Sequence, residues 1–309
     1  MQPNPVLKKL GFSENERGAI IHVDDIGMCQ ASVAAFADLW DFGLVSSGAV
    51  MVPCPWFLEA AKFASQHPQA DLGVHLTLNC EYDTYRWGPL STRDPQTGLL
   101  DEQGYLPRTS RQVQEQADPQ AVRSELVAQI ERARSAGMQP THADTHMGTV
   151  AHARFMQSYL QTALESQLPP MMLRLDEAGW QKVIGDFEGA DFDQDVIAFI
   201  MQLTGTLEEM GVPLLDNIFG MPLDSDPAQR LEEAKQAFDD LPPGITHFLI
   251  HAAQDTPELR AIAPDWRCRV ADYETFLKEE LRQHVRDIGV QVIGYRDLQK
   301  LMAAWSDTE

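Results

Sequence analysis

The sequence predicts a single-domain α/β protein whose parallel sheet is covered by helices and closed into a barrel. Three observations carry this. Short apolar runs alternate with helical patterns from residue 19 to the end of the chain. No linker-like stretch interrupts that alternation. The strands number about seven in one unit, which favours a barrel over an open sheet.

The elements follow in order. Residues 19–23 (AIIHV) are an apolar run of buried-strand type, ending in Asp24 and Asp25. A helical pattern over 29–42 leads to a second strand at 44–52. A helix at 55–66 is stopped by Pro68, and 72–78 is the third strand. An amphipathic helix over 118–136 is opened by Asp118-Pro119, a cap followed by proline in the first turn. Strands at 141–144, 171–175, 214–218, 247–251 and 290–293 alternate with helices at 152–167, 194–210, 227–240 and 272–288, and a short helix ends the chain. Residues 1–17 read as an N-terminal extension and 18–309 as the barrel domain. The long stretch 80–117 reads as irregular, rich in Gly, Pro, Thr and Asp. Its Tyr82, Tyr85, Trp87 and Tyr105 suit stacking on a sugar ring or packing on one another.

Composition narrows the function. Of 309 residues, 44% are hydrophobic and 23% charged, as in a folded globular protein. Acids outnumber bases 46 to 24, for a formal charge of -22. That argues against a duplex nucleic-acid surface and against docking to an anionic membrane, and it serves solubility. Cys29, Cys54, Cys80 and Cys268 are scattered with no C-x-x-C pair, so a cysteine zinc site is not expected. The N-terminus has no apolar h-region, and no apolar run has membrane-spanning length. The expectation is a soluble, cytoplasmic protein.

The polar residues fall at strand ends. The first strand ends in Asp24-Asp25-Ile26-Gly27, and the third contains Gly73-Val74-His75-Leu76. The next runs Thr141-His142-Ala143-Asp144-Thr145-His146, and a late strand ends at His251. In parallel β/α folds the C-terminal strand ends converge on one site. Two histidines and a carboxylate there suit a catalytic divalent metal, with zinc favoured by imidazole and magnesium or manganese left open by the carboxylate. Adjacent aspartates diverge along a strand, but at its end they can divide the work of ligand and base. Alternation puts His142, Asp144 and His146 on one face. Singly, each motif has a structural reading as well: a helix cap for the aspartates, a core histidine for His75 or His251.

Together these motifs resemble the YdjC-like carbohydrate deacetylases, which include chitooligosaccharide and hopanoid-linked deacetylases. The family's N-A-D-D-F-G stands here as His22 to Gly27, its G-x-H as Gly73 to His75, and its P-T-H-x-D-x-H as Pro140 to His146. Its strand-ending histidine stands as His251. Arg269 with Asp272, Arg174 in M-L-R-L-D, and the closing Gly294-Tyr295-Arg296-Asp297 also match. The resemblance covers roughly residues 18–300. It implies an irregular (β/α) barrel of the glycoside hydrolase/deacetylase type and removal of an N-acetyl group from an acetylated sugar or glycoconjugate. It implies one divalent metal, Zn2+ or Mg2+, held by Asp25, His75 and His146, with Asp24 as base and His251 as general acid. Asp144 would orient a ligand, while Arg174, Arg269, Asp272 and Trp87 would support the site or contact substrate. His142 faces inward without being made a ligand by the match.

The departures surround the pocket: His22 for Asn, Ile26 for Phe, Met147-Gly148-Thr149 after the third motif, and Ala252-Ala253 after His251. They bear on the substrate more than on the reaction. Hydrolysis of another amide or an ester, and a non-catalytic carbohydrate-binding role, are the competing readings; a homodimer is compatible with the resemblance. A glycosidase is disfavoured, since histidines at strand ends have no role beside its two carboxylates.

Overall fold

The computed structural model describes residues 2–186 and 194–306; the far end of the expected 18–309 domain, residues 307–309, lies outside them. Seven strands are present among the described residues: β1 (Arg17–Ile26), β2 (Ser47–Val50), β3 (Leu72–Leu76), β4 (Ala143–Thr145), β5 (Asn217–Gly220), β6 (Gly244–Ile250) and β7 (Gln291–Val292). All pair in parallel, in the order β4-β3-β2-β1-β6-β5, with β7 beside the first residues of β1. Every residue of β1 except Arg17 is buried, which is why it reads as an unbroken apolar run rather than an alternating one.

Two isolated bridges link the sheet's ends. Ala143 pairs with Pro170, and Leu173 with Leu215. Met171 N donates to Ala143 O at 2.9 Å, Leu215 N to Met172 O at 2.9 Å, and Asp216 N to Ile245 O at 2.9 Å. The segment expected as a strand at 171–175 is thus reduced to bridges, and it carries the curled sheet from β4 round to β5. The result is a parallel, barrel-like α/β sheet wrapped in helices, as expected.

Helices cover the outside. Asp118 caps the helix Pro119–Ser135, its side chain accepting from Ala121 N. The expected helix over 272–288 is two helices, Trp266–Phe276 and Glu279–Asp287, separated by Lys278 in an extended conformation. The stretch 80–117 contains a helix, Ser110–Gln116, closed by a capping box between Thr109 and Gln112. The N-terminal helix Pro5–Lys9 buries Val6 and Leu7, and Asn4 anchors it by donating to Leu214 O and Asp216 Oδ2.

Candidate active site

Backbone geometry at the end of β1 lets two neighbouring aspartates share one pocket. Asp25 takes a left-handed φ of 61°, and the β1–β2 register shifts between Val23 and Ile26. A non-glycine residue in that region is strained, and such strain persists where surrounding contacts hold it. Here Arg269 Nη1 sits 2.7 Å from Asp25 Oδ2. His75 comes from β3, Asp144 from β4, His146 from the turn after β4, and His251 from the residue after β6.

Asp25, His75 and His146 each offer a ligand atom, all within 4.8 Å of one another and all buried. Asp25 Oδ1 has no hydrogen-bond partner, and lies 3.5 Å from His75 Nε2 and 3.1 Å from His146 Nδ1. The far nitrogen of each ring is already engaged. His75 Nδ1 is 2.9 Å from Asp144 Oδ1, and His146 Nε2 is 3.1 Å from Glu81 Oε2. Carboxylates there keep those nitrogens protonated and turn the opposite nitrogens towards Asp25. An orphaned carboxylate oxygen facing two imidazole nitrogens, which become ligands once deprotonated, fits a divalent metal.

Burial would lower the pKa of His75, but the carboxylates of Asp144, Asp24 and Asp25 outweigh it and raise it to about 9. His146 is likewise carried well above its usual value, with Glu81 and Asp25 overcoming burial. Burial would raise Asp25, yet Arg269 and His146 hold it well below the usual carboxylate range. Asp24 is also lowered, since His75 and His22 outweigh its burial. Without a metal, the site therefore holds protons where a metal would sit.

Asp24 faces the same pocket from the other side. Its Oδ1 is 2.7 Å from His22 Nδ1, while its Oδ2 is 3.8 Å from His75 Nε2 and 4.0 Å from His251 Nε2. The Nδ1 of His251 is buried without a partner. Burial pushes the His251 pKa down. Its backbone N–H donates to Asp272 Oδ2 at 3.0 Å, and Asp272 Oδ1 lies 3.1 Å from Arg230 Nε.

Beneath the pocket the barrel interior is polar, where such barrels usually stack branched aliphatics. His22, His142, His247 and Tyr295 pack there. The Tyr295 ring stacks on His142 at 3.8 Å between centroids, and its hydroxyl is 2.9 Å from His247 Nδ1. Gly73 makes room for this layer, because a Cβ on it would lie 2.5 Å from the His142 ring. That explains the glycine of Gly73-Val74-His75. His22, Asp24, Asp144 and His247 form a second group of ligand type, but His22 is already hydrogen-bonded through both ring nitrogens.

The structure thus gathers Asp24, Asp25, His75, Asp144, His146, His251 and Arg269 around one pocket, with Asp272 behind His251 and His142 one layer down. It does not bring Arg174 there. That guanidinium pairs with Asp216 at 3.0 Å and Glu208 at 2.8 Å and donates to Gln2 O, beside the N-terminal helix. Trp87 is only 3% exposed, with its ring edge-on to His146 at 6.5 Å, so it walls the site instead of presenting an open stacking face. Sequence reasoning missed Glu81, Asp265 and His247. Asp265 accepts from Arg269 Nε at 3.0 Å. The first histidine in HFLIH, His247, was an available signal for the lower layer.

The YdjC-like protein family model matches residues 18–287. A carbohydrate deacetylase of Thermus thermophilus is 33% identical, over 90% of this chain and 92% of that one. A carbohydrate deacetylase of Listeria monocytogenes is 30% identical, over 90% of this chain and 99% of its own. Among solved structures, a candidate cellobiose-phosphate cleavage protein of Enterococcus faecalis V583 shares the fold, with a TM-score of 0.72 at 23% identity over 92% of this chain and 99% of that one. All the ligand-type residues at the pocket's rim, Asp24 to His251, lie inside the matched span, and the chain belongs to the YdjC-like protein family.

Proposed function

We propose that the protein is a metal-dependent carbohydrate deacetylase, hydrolysing the N-acetyl group of an acetylated amino sugar or glycoconjugate. The observation that carries this is the orphaned Asp25 Oδ1 between His75 and His146, with Asp24 and His251 on the opposite side of the pocket. The names of the full-length relatives support the substrate class. Four free, buried cysteines support a reducing, cytoplasmic setting.

Asp25, His75 and His146 would hold the metal. Bound there, a divalent ion supplies a water of lowered pKa and polarises the acyl carbonyl. Asp24, its Oδ1 occupied by His22, takes the proton of the attacking water through Oδ2. His251 Nε2, 4.0 Å from that oxygen, passes a proton to the departing amine. Its lowered pKa makes it neutral at rest and a strong acid once protonated, so the proton Asp24 gains is the one His251 delivers. Arg269 keeps Asp25 oriented, and Trp87 shields His146 from water.

The test is metal content measured together with acetate release from a panel of N-acetylated sugars. One bound metal per chain with acetate release supports the proposal. Metal without acetate from any acetylated sugar overturns the substrate class. Acetate release undiminished after the metal is stripped overturns metal dependence.

A further inference from the structure

We propose that His22 is held as a buried imidazolium that positions Asp24, fixed in that state by a hydrogen-bonded chain reaching back to Asp71. The charge follows from geometry; its catalytic use rests on Asp24 being the base.

The chain is continuous and buried. Thr141 Oγ1 bonds Asp71 Oδ1, His142 Nδ1 is 3.0 Å from Thr141 Oγ1, His142 Nε2 is 2.9 Å from His22 Nε2, and His22 Nδ1 is 2.7 Å from Asp24 Oδ1. Counting protons along it fixes the donors. Asp71 accepts on both oxygens, from Ser47 Oγ at 3.2 Å and from Arg296 N at 2.7 Å as well as from Thr141. Thr141 has one proton, given to Asp71, so its oxygen accepts from His142 Nδ1–H. Burial holds His142 neutral, and with its one proton on Nδ1 its Nε2 is a bare lone pair. The 2.9 Å contact then requires a proton on His22 Nε2. His22 Nδ1 must also carry one to meet the carboxylate of Asp24. Both ring nitrogens are protonated.

Moving a single proton from His22 to Asp71 would reverse the three bonds between Asp71 and His22 Nε2, leave His22 Nδ1 donating to Asp24, and still satisfy the chain. Burial does raise the pKa of Asp71. The surroundings favour His22. It lies 2.7 Å from Asp24 and 3.4 Å from Asp144, two buried carboxylates. Asp71 instead has hydroxyl and backbone donors that stabilise its charge where it stands. His247, whose ring is 4.6 Å from His22, turns its Nδ1 to the Tyr295 hydroxyl and is pushed down to about 3 by burial and by His22, so it adds no second positive charge. The internal bonds of 2.7 and 2.9 Å also mark this group as a satisfied network, not a second metal site. The outcome for Asp24 is one pinned oxygen and one free oxygen directed at His75 and His251.

Nitrogen NMR of the protein labelled at histidine reads the charge directly, in the wild-type fold. The expected result is one ring, identified by its loss in His22→Asn, with both nitrogens protonated at neutral pH. A bare Nε2 on that ring overturns the charge. Thr141→Val frees His142 to reverse, and the His22 Nε2 proton is expected to be lost. Kinetics read the positioning role. His22→Leu is expected to lower kcat about 100-fold and His22→Asn, which keeps a donor to Asp24, about tenfold, with KM and metal content unchanged. Full kcat in His22→Leu overturns the positioning role. Full activity of Asp24→Asn alongside a charged His22 would discard the base assignment and leave the imidazolium standing.

Discussion

Arg269 and Asp25, 244 positions apart in the chain, meet in a buried ion pair of 2.7 Å. The guanidinium is shared: Asp265 holds its Nε, and Nη2 donates to the Tyr82 hydroxyl at 3.3 Å. Asp25 is thereby held by one oxygen, and its other oxygen is left for the two histidines. Removing one partner of such a pair strands a buried charge, at a cost of about 3–5 kcal/mol. Arg269→Met should therefore lower the melting temperature of the metal-free protein sharply, and added zinc should recover part of the loss by compensating Asp25. An unchanged melting temperature in the metal-free variant would mean that Asp25 does not depend on Arg269.

In the proposed mechanism the neighbours Asp24 and Asp25 have separable roles, base and metal ligand. Asp24→Asn keeps the shape and leaves Asp25, His75 and His146 untouched. It should retain one equivalent of metal while turnover falls by about 10²–10⁴-fold, the usual contribution of a general base. His75→Ala and His146→Ala should instead lose the metal, read by elemental analysis after gel filtration. Metal loss in Asp24→Asn, or its retention in both histidine variants, would reverse the division of labour.

Arg174 provides a contrast. It was a candidate for the site, yet it ties Asp216 and Glu208 to the N-terminal segment. Arg174→Ala should destabilise the fold by about 1–3 kcal/mol, through polar groups left without their partner. Metal content and kcat should be unaffected. A fall in kcat in a variant whose fold and metal content are intact would place Arg174 in the chemistry after all.

Much of this was legible because the titratable candidates sit at strand ends, which a parallel sheet brings together. The alternation His142-Asp144-His146 does face inward. It spreads over two layers, with His142 against Tyr295, Asp144 against His75 and His146 against Asp25. What was illegible has physical reasons. Glu81 lies in a loop without periodicity, so nothing ties it to His146 until the chain folds. The helix Trp266–Phe276 turns Arg269 and Asp272 inward, so its buried face is not an apolar stripe and its start cannot be read from hydrophobic spacing. Closure of the barrel rests on bridges at 170–173 and 215, too short to register as strands. The capping box at Thr109 and Gln112 was a usable signal for the helix inside the stretch expected to be irregular.

The histidines of the candidate metal group should make stability and metal binding depend on pH in opposite senses. In the metal-free protein His75 has a pKa of about 9, raised by Asp144 and Asp24 against the opposing effect of burial, from an ordinary 6.5. A raised folded-state pKa contributes stability that is complete below pH 6.5 and is lost as pH climbs through about 9. His146 shifts in the same direction. The melting temperature of metal-free protein should therefore fall as pH rises from about 7 to about 9. Metal must displace those protons, so binding at neutral pH should release protons and tighten as pH rises. Calorimetry in two buffers of different ionisation enthalpy counts the protons released. A positive count that declines towards pH 9 is the expected result. No release at neutral pH would show that His75 and His146 are already neutral, and that the carboxylates around them do not govern entry of the metal.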